Sequence, residues 1–183
     1  LTSGGMFCLF TSHRALNNAK KWFKANKSVL GGRKLLVQGD APRDDLLRRF
    51  RQSGNAVLLG TGSFWEGVDV RGPALSVVAI DKLPFASPAD PLMMARLELI
   101  RREGGNGFMD HQLPTAALSL KQGAGRLLRD DKDFGVVVLC DPRITSKRYG
   151  SKFLQALAPM PATASLTDVS SFLAAHERKG AVA

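Results

Sequence analysis

Cysteine is scarce in this chain of 183 residues, which carries two, Cys8 and Cys140. Both sit in apolar runs that read as buried strands, where a reduced thiol behaves as a small hydrophobe, so no structural disulfide is expected. Two thiols are too few for an ordinary iron–sulfur cluster, and His13, His111 and His176 lack the spacing of a zinc site. The chain is therefore expected to hold no metal by itself. No apolar run approaches the ~18 residues of a membrane span, and the start lacks the charged, apolar and small-residue order of a signal peptide. Those absences argue against a membrane partner and for a cytoplasmic location. Acid is short as well: 26 Lys and Arg stand against 16 Asp and Glu, a net charge of +10. Such a surface attracts a polyanion, either nucleic acid or nucleotide phosphate. The most telling absence is a Gly-x-x-x-x-Gly-Lys-Ser/Thr loop, without which the chain cannot cradle a triphosphate and position magnesium in the usual way.

What is present has the size of one domain with a real core. Apolar runs at 6–10, 35–37, 56–59, 75–80 and 136–140 read as strands, the last two continuous enough to be covered on both faces. Helical segments are expected at about 14–25, 42–52, 91–103, from 113 onward, 147–157 and 168–177. Strands alternating with helices predict a three-layer α/β/α domain with a mainly parallel central sheet. Its core is expected at about 6–157, with a helical extension at about 166–178 behind a loop rich in Pro and Ala. The first residue is leucine and a strand follows almost at once, so the chain reads as cut from a longer protein.

The segment Gln122-Gly123-Ala124-Gly125-Arg126-Leu127-Leu128-Arg129 carries the most chemistry. At about 100° per residue, Leu113, Ala116, Ala117, Leu120, Ala124 and Leu127 form one helical face, with Gln122, Arg126 and Arg129 roughly opposite. Two glycines inside a helix cost about 1 kcal/mol each, which a close neighbour or ligand would explain. Planar, permanently charged guanidinium groups suit phosphate. A solvated arginine face is the plainer alternative.

Three further segments follow predicted strands, so they share the carboxyl edge of the sheet, where ligands gather in such folds. Thr11-Ser12-His13-Arg14 can cap the next helix and contact a phosphate. Gly60-Thr61-Gly62-Ser63-Phe64-Trp65-Glu66-Gly67-Val68-Asp69 mixes phosphate-binding N–H groups at Gly62 and Ser63 with a flat apolar surface. In it Trp65 can stack or pack, and Glu66 and Asp69 can accept from a ribose or orient an arginine. The third segment is Asp81-Lys82-Leu83-Pro84-Phe85. Arg48, Arg49, Arg51, Arg101 and Arg102 are read as solvated faces.

Leu9-Phe10-Thr11-Ser12, Gly62 to Asp69 and Gln122-x-x-Gly125-Arg126-x-x-Arg129 resemble motifs IV, V and VI of superfamily 2 helicases, nearest the DinG/YoaA and XPD/Rad3-like branch. The resemblance spans roughly residues 6–157. It implies the second, carboxyl-terminal RecA-like domain of an ATP-dependent 5′ to 3′ DNA helicase, of a bacterial, intracellular type. Arg126 and Arg129 would then be arginine fingers, and Gln122 and Gly125, with Glu66, Gly67 and Asp69, would line the nucleotide. Thr11, Ser12, Arg14, Thr61, Gly62, Ser63 and Trp65 would hold single-stranded DNA.

ATP with magnesium would be gripped mainly by the amino-terminal RecA-like domain of the parent chain, the other partner this reading implies. A 4Fe-4S cluster, where relatives carry one, also belongs there. A fragment of this kind is not expected to hydrolyse ATP alone. The alternative is a non-catalytic nucleic-acid-binding module on the same fold, which explains the charge but not the Gln122, Arg126, Arg129, Glu66 and Asp69 constellation. A self-contained small-molecule enzyme is disfavoured, since no nucleophile, base or cofactor loop stands out.

Overall fold

In a computed structural model, residues 2–64, 75–87, 89–127 and 134–180 are described. Five strands form the sheet: β1 (Gly5–Leu9), β2 (Leu35–Val37), β3 (Val57–Gly60), β4 (Leu75–Ile80) and β5 (Val136–Leu139). They lie in the order β2-β3-β1-β4-β5, and every neighbouring pair is parallel. The helices are α1 (His13–Ala25), α2 (Arg43–Ser53), α3 (Pro91–Arg102), α4 (Leu113–Ala124), α5 (Arg143–Ser146), α6 (Gly150–Ala156) and α7 (Leu166–Gly180). This is the α/β arrangement with a parallel central sheet that the alternation predicts, and it agrees with the RecA-like domain that the resemblance implies.

The strand period of two sorts side chains between two cores. Phe7 and Leu9 join Leu46, Phe50, Leu58, Val78, Ile80, Leu120 and Phe153 on the face covered by α2, α4 and α6. Cys8, Leu59 and Val37 point the other way and meet Leu16, Ala19 and Phe23 of α1. Local chemistry sets the helix starts. Ser12 accepts from the Ala15 N–H at the head of α1, Asp44 and Asp45 occupy the first turn of α2, and Asp90 accepts from Leu92 and Met93 before Pro91 enters α3. Each supplies an acceptor or negative charge where helical N–H groups lack partners.

Four expectations change. The segment 147–157 is not one helix: Lys147 is extended after α5, and Gly150 packs where a Cβ would come 2.0 Å from the Ile144 carbonyl oxygen. Second, β5 is an edge strand with Val138 exposed, so it is not covered on both faces. Third, Cys140 follows the end of that strand and is exposed, whereas Cys8 is buried; burial pushes the Cys8 thiol up to about 12.

Fourth, α4 ends at Ala124 rather than running on through the arginines. Gly125 donates to the Lys121 carbonyl at 2.8 Å, and Arg126 and Leu127 donate to Gly123 and Ala124 at 3.3 and 3.0 Å. This tightening to three-residue bonds is how helix ends satisfy orphaned carbonyls. The inner face of α4 is nonetheless as expected, with Leu113, Ala116, Leu120 and Ala124 buried. No helix among the described residues is long and apolar enough to cross a membrane.

Candidate functional site

Parallel strands bring their carboxyl ends to one edge, and the polar residues immediately after them are knitted together there. The ladder continues past the strands: Phe10 donates to the Gly60 carbonyl at 2.8 Å, Asp81 to Leu9 at 3.1 Å and Cys140 to Ile80 at 2.9 Å. The Asp81 carboxylate accepts from the Thr11 N–H at 3.0 Å. Burial outweighs those hydrogen bonds and raises the Asp81 carboxyl above the usual carboxylate range. Thr61 is held by a residue the sequence reading passed over: Gln38, just beyond β2, accepts from the Thr61 N–H at 2.6 Å and from its hydroxyl at 3.1 Å.

A second unforeseen group is Asp141. It accepts from the buried Leu83 N–H at 2.9 Å and takes a guanidinium fork from Arg143, with Nε at 3.0 Å and Nη2 at 2.6 Å. The Arg143 hydrogen bonds hold the Asp141 carboxyl down at about 2. Arg143 also lies 5.3 Å over the Phe85 ring, which packs against Phe108, Tyr149 and Phe153. This clamp fixes the 81–85 segment against α5 and α6. The available signal was position: Asp141 follows an apolar strand just as Asp81 does.

The candidate residues divide between two ends of the domain. Thr11, Ser12, Arg14, Thr61, Gly62 and the Ser63 backbone gather at the carboxyl edge, with Ser12 occupied in capping α1 and Thr61 buried. Phe64 is buried and explains Gly60, where a Cβ would meet its ring at 2.7 Å. Trp65, Glu66, Gly67, Asp69 and Arg129 lie outside the described residues.

Gln122 and Arg126 sit elsewhere. Leu127, the residue after Arg126, packs against Gly135, where a Cβ would meet the Leu127 side chain at 2.5 Å and the Ser76 carbonyl oxygen at 2.6 Å. Ser76 is the second residue of β4, and Gly135 immediately precedes β5. Since α4 runs antiparallel to the strands, its last turn is directed away from the edge that carries Thr11 and Thr61. Gln122 is exposed on that turn and Arg126 is half-buried beyond it. They do not share one helical stripe, because the helix has ended. Gly125 supports the departure: a Cβ there would lie 3.1 Å from the Lys121 carbonyl oxygen. Phe64 marks the carboxyl edge, and Leu75 opens β4 at the opposite one.

The arginines read as solvated behave that way. Arg48 and Arg49 pair with Asp45, and Arg101 and Arg102 pair with Glu98, all on exposed helix surface.

The family model described as "Helicase C-terminal domain" matches residues 1–160. The chain is 47% identical over 172 residues to the "ATP-dependent DNA helicase YoaA" of Escherichia coli, covering 94% of this chain and 26% of that protein. It is 42% identical over 165 residues to the "ATP-dependent helicase DinG" of Mycobacterium tuberculosis, covering 90% and 24%. A Bacillus subtilis relative, 44% identical over 162 residues and matched over 87% of this chain and 17% of its own length, is named "3'-5' exonuclease DinG". The chain thus spans about a quarter or less of the length of these relatives. In fold it is similar to S. tokodaii Xpd4, with a TM-score of 0.59 at 19% identity over 84% of this chain and 28% of that one. It is also similar to the C-terminal domain of the DEAD-box protein Dbp5, with a TM-score of 0.58 at 16% identity over 96% and 84%.

Proposed function

This chain belongs to the helicase C-terminal domain family, and from that membership we propose that it is the second motor domain of an ATP-dependent 5′ to 3′ DNA helicase. The observation that carries the reading is the end of α4, where Gln122 is exposed on the last turn and Arg126 lies half-buried just past it. An amide and a guanidinium at the rim suit a nucleotide phosphate gripped by another lobe.

In this reading Gln122, Gly125, Arg126 and Arg129 present the nucleotide-facing end. ATP with magnesium, bound mainly by the amino-terminal domain, supplies the transferable phosphoryl group. Arg126 and Arg129 stabilise charge on that group, a role worth about 10³ to 10⁵ in rate where an arginine is supplied across an interface. Thr11, Ser12, Arg14, Thr61, Gly62, Ser63 and Trp65 hold the single strand at the opposite end. Glu66, Gly67 and Asp69 link the nucleotide to the strand-binding segment. Closure between the two domains then moves the strand.

The test uses the full-length polypeptide that contains this chain. Arg126→Ala should lower ATP turnover by about 10³ or more while leaving nucleotide affinity within a few-fold, as read by turnover and by nucleotide titration. Unchanged turnover would remove the finger assignment.

A further inference from the structure

We infer that the outer face of α1 extends the single-strand path, stacking a base on Trp22 while Arg14, Lys21 and Lys24 take the phosphates. The inference rests on the strand occupying the carboxyl edge, as proposed above, and concerns a surface that starts from Arg14 at that edge and reaches Trp22 and Lys24 more than two helical turns beyond it. Residues 1–39 contain no Asp or Glu and seven Lys and Arg, so a large share of the excess positive charge lies ahead of the first acid. Lys20 is committed to Asp40 and Arg33 to the Thr2 carbonyl. Arg14, Lys21 and Lys24 are exposed and have no carboxylate partner among the described residues.

At about 100° per residue Arg14, Asn18, Lys21 and Ala25 line up along the helix, with Asn17 and Lys24 to one side and Trp22 to the other. This is the face opposite Leu16, Ala19 and Phe23, which meet the sheet. Trp22 is 52% exposed. One part of its ring system meets Phe23 at 5.2 Å and 81°, so the indole is held while much of its surface stays open. An exposed indole beside Lys21 and Lys24, which have no carboxylate partner among the described residues, with Asp40 taken up by Lys20, is complementary to a phosphodiester strand. Bases stack on aromatic rings without sequence preference, and the lysines track the backbone. Position supports the same occupant: α1 starts at Ser12, on the carboxyl edge, and Arg14 to Lys24 covers about 15 Å of helix axis, the reach of a few nucleotides.

The experiment measures anisotropy of labelled oligothymidylates of about 4 and about 16 nucleotides, lengths that bracket the site size of single-strand binders, against this chain over a range of salt. The long oligomer should bind more tightly and with a steeper salt dependence. Trp22→Ala should cost it about ten-fold in affinity, Trp22→Phe should restore part of that, and Lys21→Gln with Lys24→Gln should flatten its salt slope by about 0.7 per lost contact. The short oligomer should be unaffected by all three.

Long-oligomer binding unchanged by these variants would overturn the inference. So would an equal loss on both lengths, or competition by polyglutamate as strong as by unlabelled oligothymidylate, which would mark a face for an acidic protein. Thr11→Ala with Ser12→Ala tests the edge separately. If short-oligomer binding survives that change while the Trp22 effect persists, the edge assignment fails and the α1 assignment stands.

Discussion

The Asp141 carboxylate joins the Leu83 N–H to the Arg143 guanidinium, and its acidity follows from that geometry. With its carboxyl held at about 2 in the folded chain, against about 3.9 when unfolded, its contribution to stability is complete above the unfolded value. It is lost as pH falls from about 4 through about 2. Asp141 is 4% exposed, but Arg143 is 37% exposed, so screening discounts the shift to about 1–2 kcal/mol. Urea midpoints measured from about pH 6 to 2 should show the acid limb flattened in Asp141→Asn; an identical limb would break the assignment. Asp81 has the opposite sign. Burial raises its carboxyl, so its ionisation costs stability above the raised value and acid relieves that cost.

Helix α4 carries two tasks on one short element. Leu120 is fully buried beneath the sheet-facing side, while Leu118, two residues earlier, is 57% exposed. Leu120→Ala should cost about 2–5 kcal/mol through lost burial and a cavity, and Leu118→Ala about 0.5 kcal/mol or less, read as guanidinium midpoints. Similar losses at both positions would mean that the helix is rotated from the face assigned here. The turn after Ala124 matters equally. Had the helix continued, Arg126 would lie on the same stripe as Gln122; the tightened turn instead ends the rod and buries Leu127 against Gly135, at the start of β5.

Across the molecule, the groups proposed to face the nucleotide, Gln122 and Arg126, and those proposed to hold the strand, Thr11 and Thr61, lie toward opposite ends of the sheet. The sequence contains no Gly-x-x-x-x-Gly-Lys-Ser/Thr motif, so under the proposed two-lobe reading the chain should show no ATP turnover above a blank in a steady-state assay, with or without single-stranded DNA. Robust turnover by the pure chain would contradict the two-lobe reading and require a complete site within these 183 residues.

Strand runs, helix starts and the apolar face of α4 were legible from the residues, because side-chain period and capping act over a few positions. So were the segments that end at the carboxyl edge, since parallel strands place whatever follows them on one side. The Gln38 bond to Thr61 and the Asp141 clamp on Leu83 were not, for they join residues 23 and 58 apart. Nor was the break between α5 and α6, where the Ile144 carbonyl packs against Gly150. Most consequentially, a linear motif does not say toward which end of a sheet it is carried. The antiparallel return of α4, anchored by Leu127 against Gly135, takes the Gln122 and Arg126 end away from Thr11 and Thr61. Local sequence sets each element, but long-range packing sets which elements can serve one ligand.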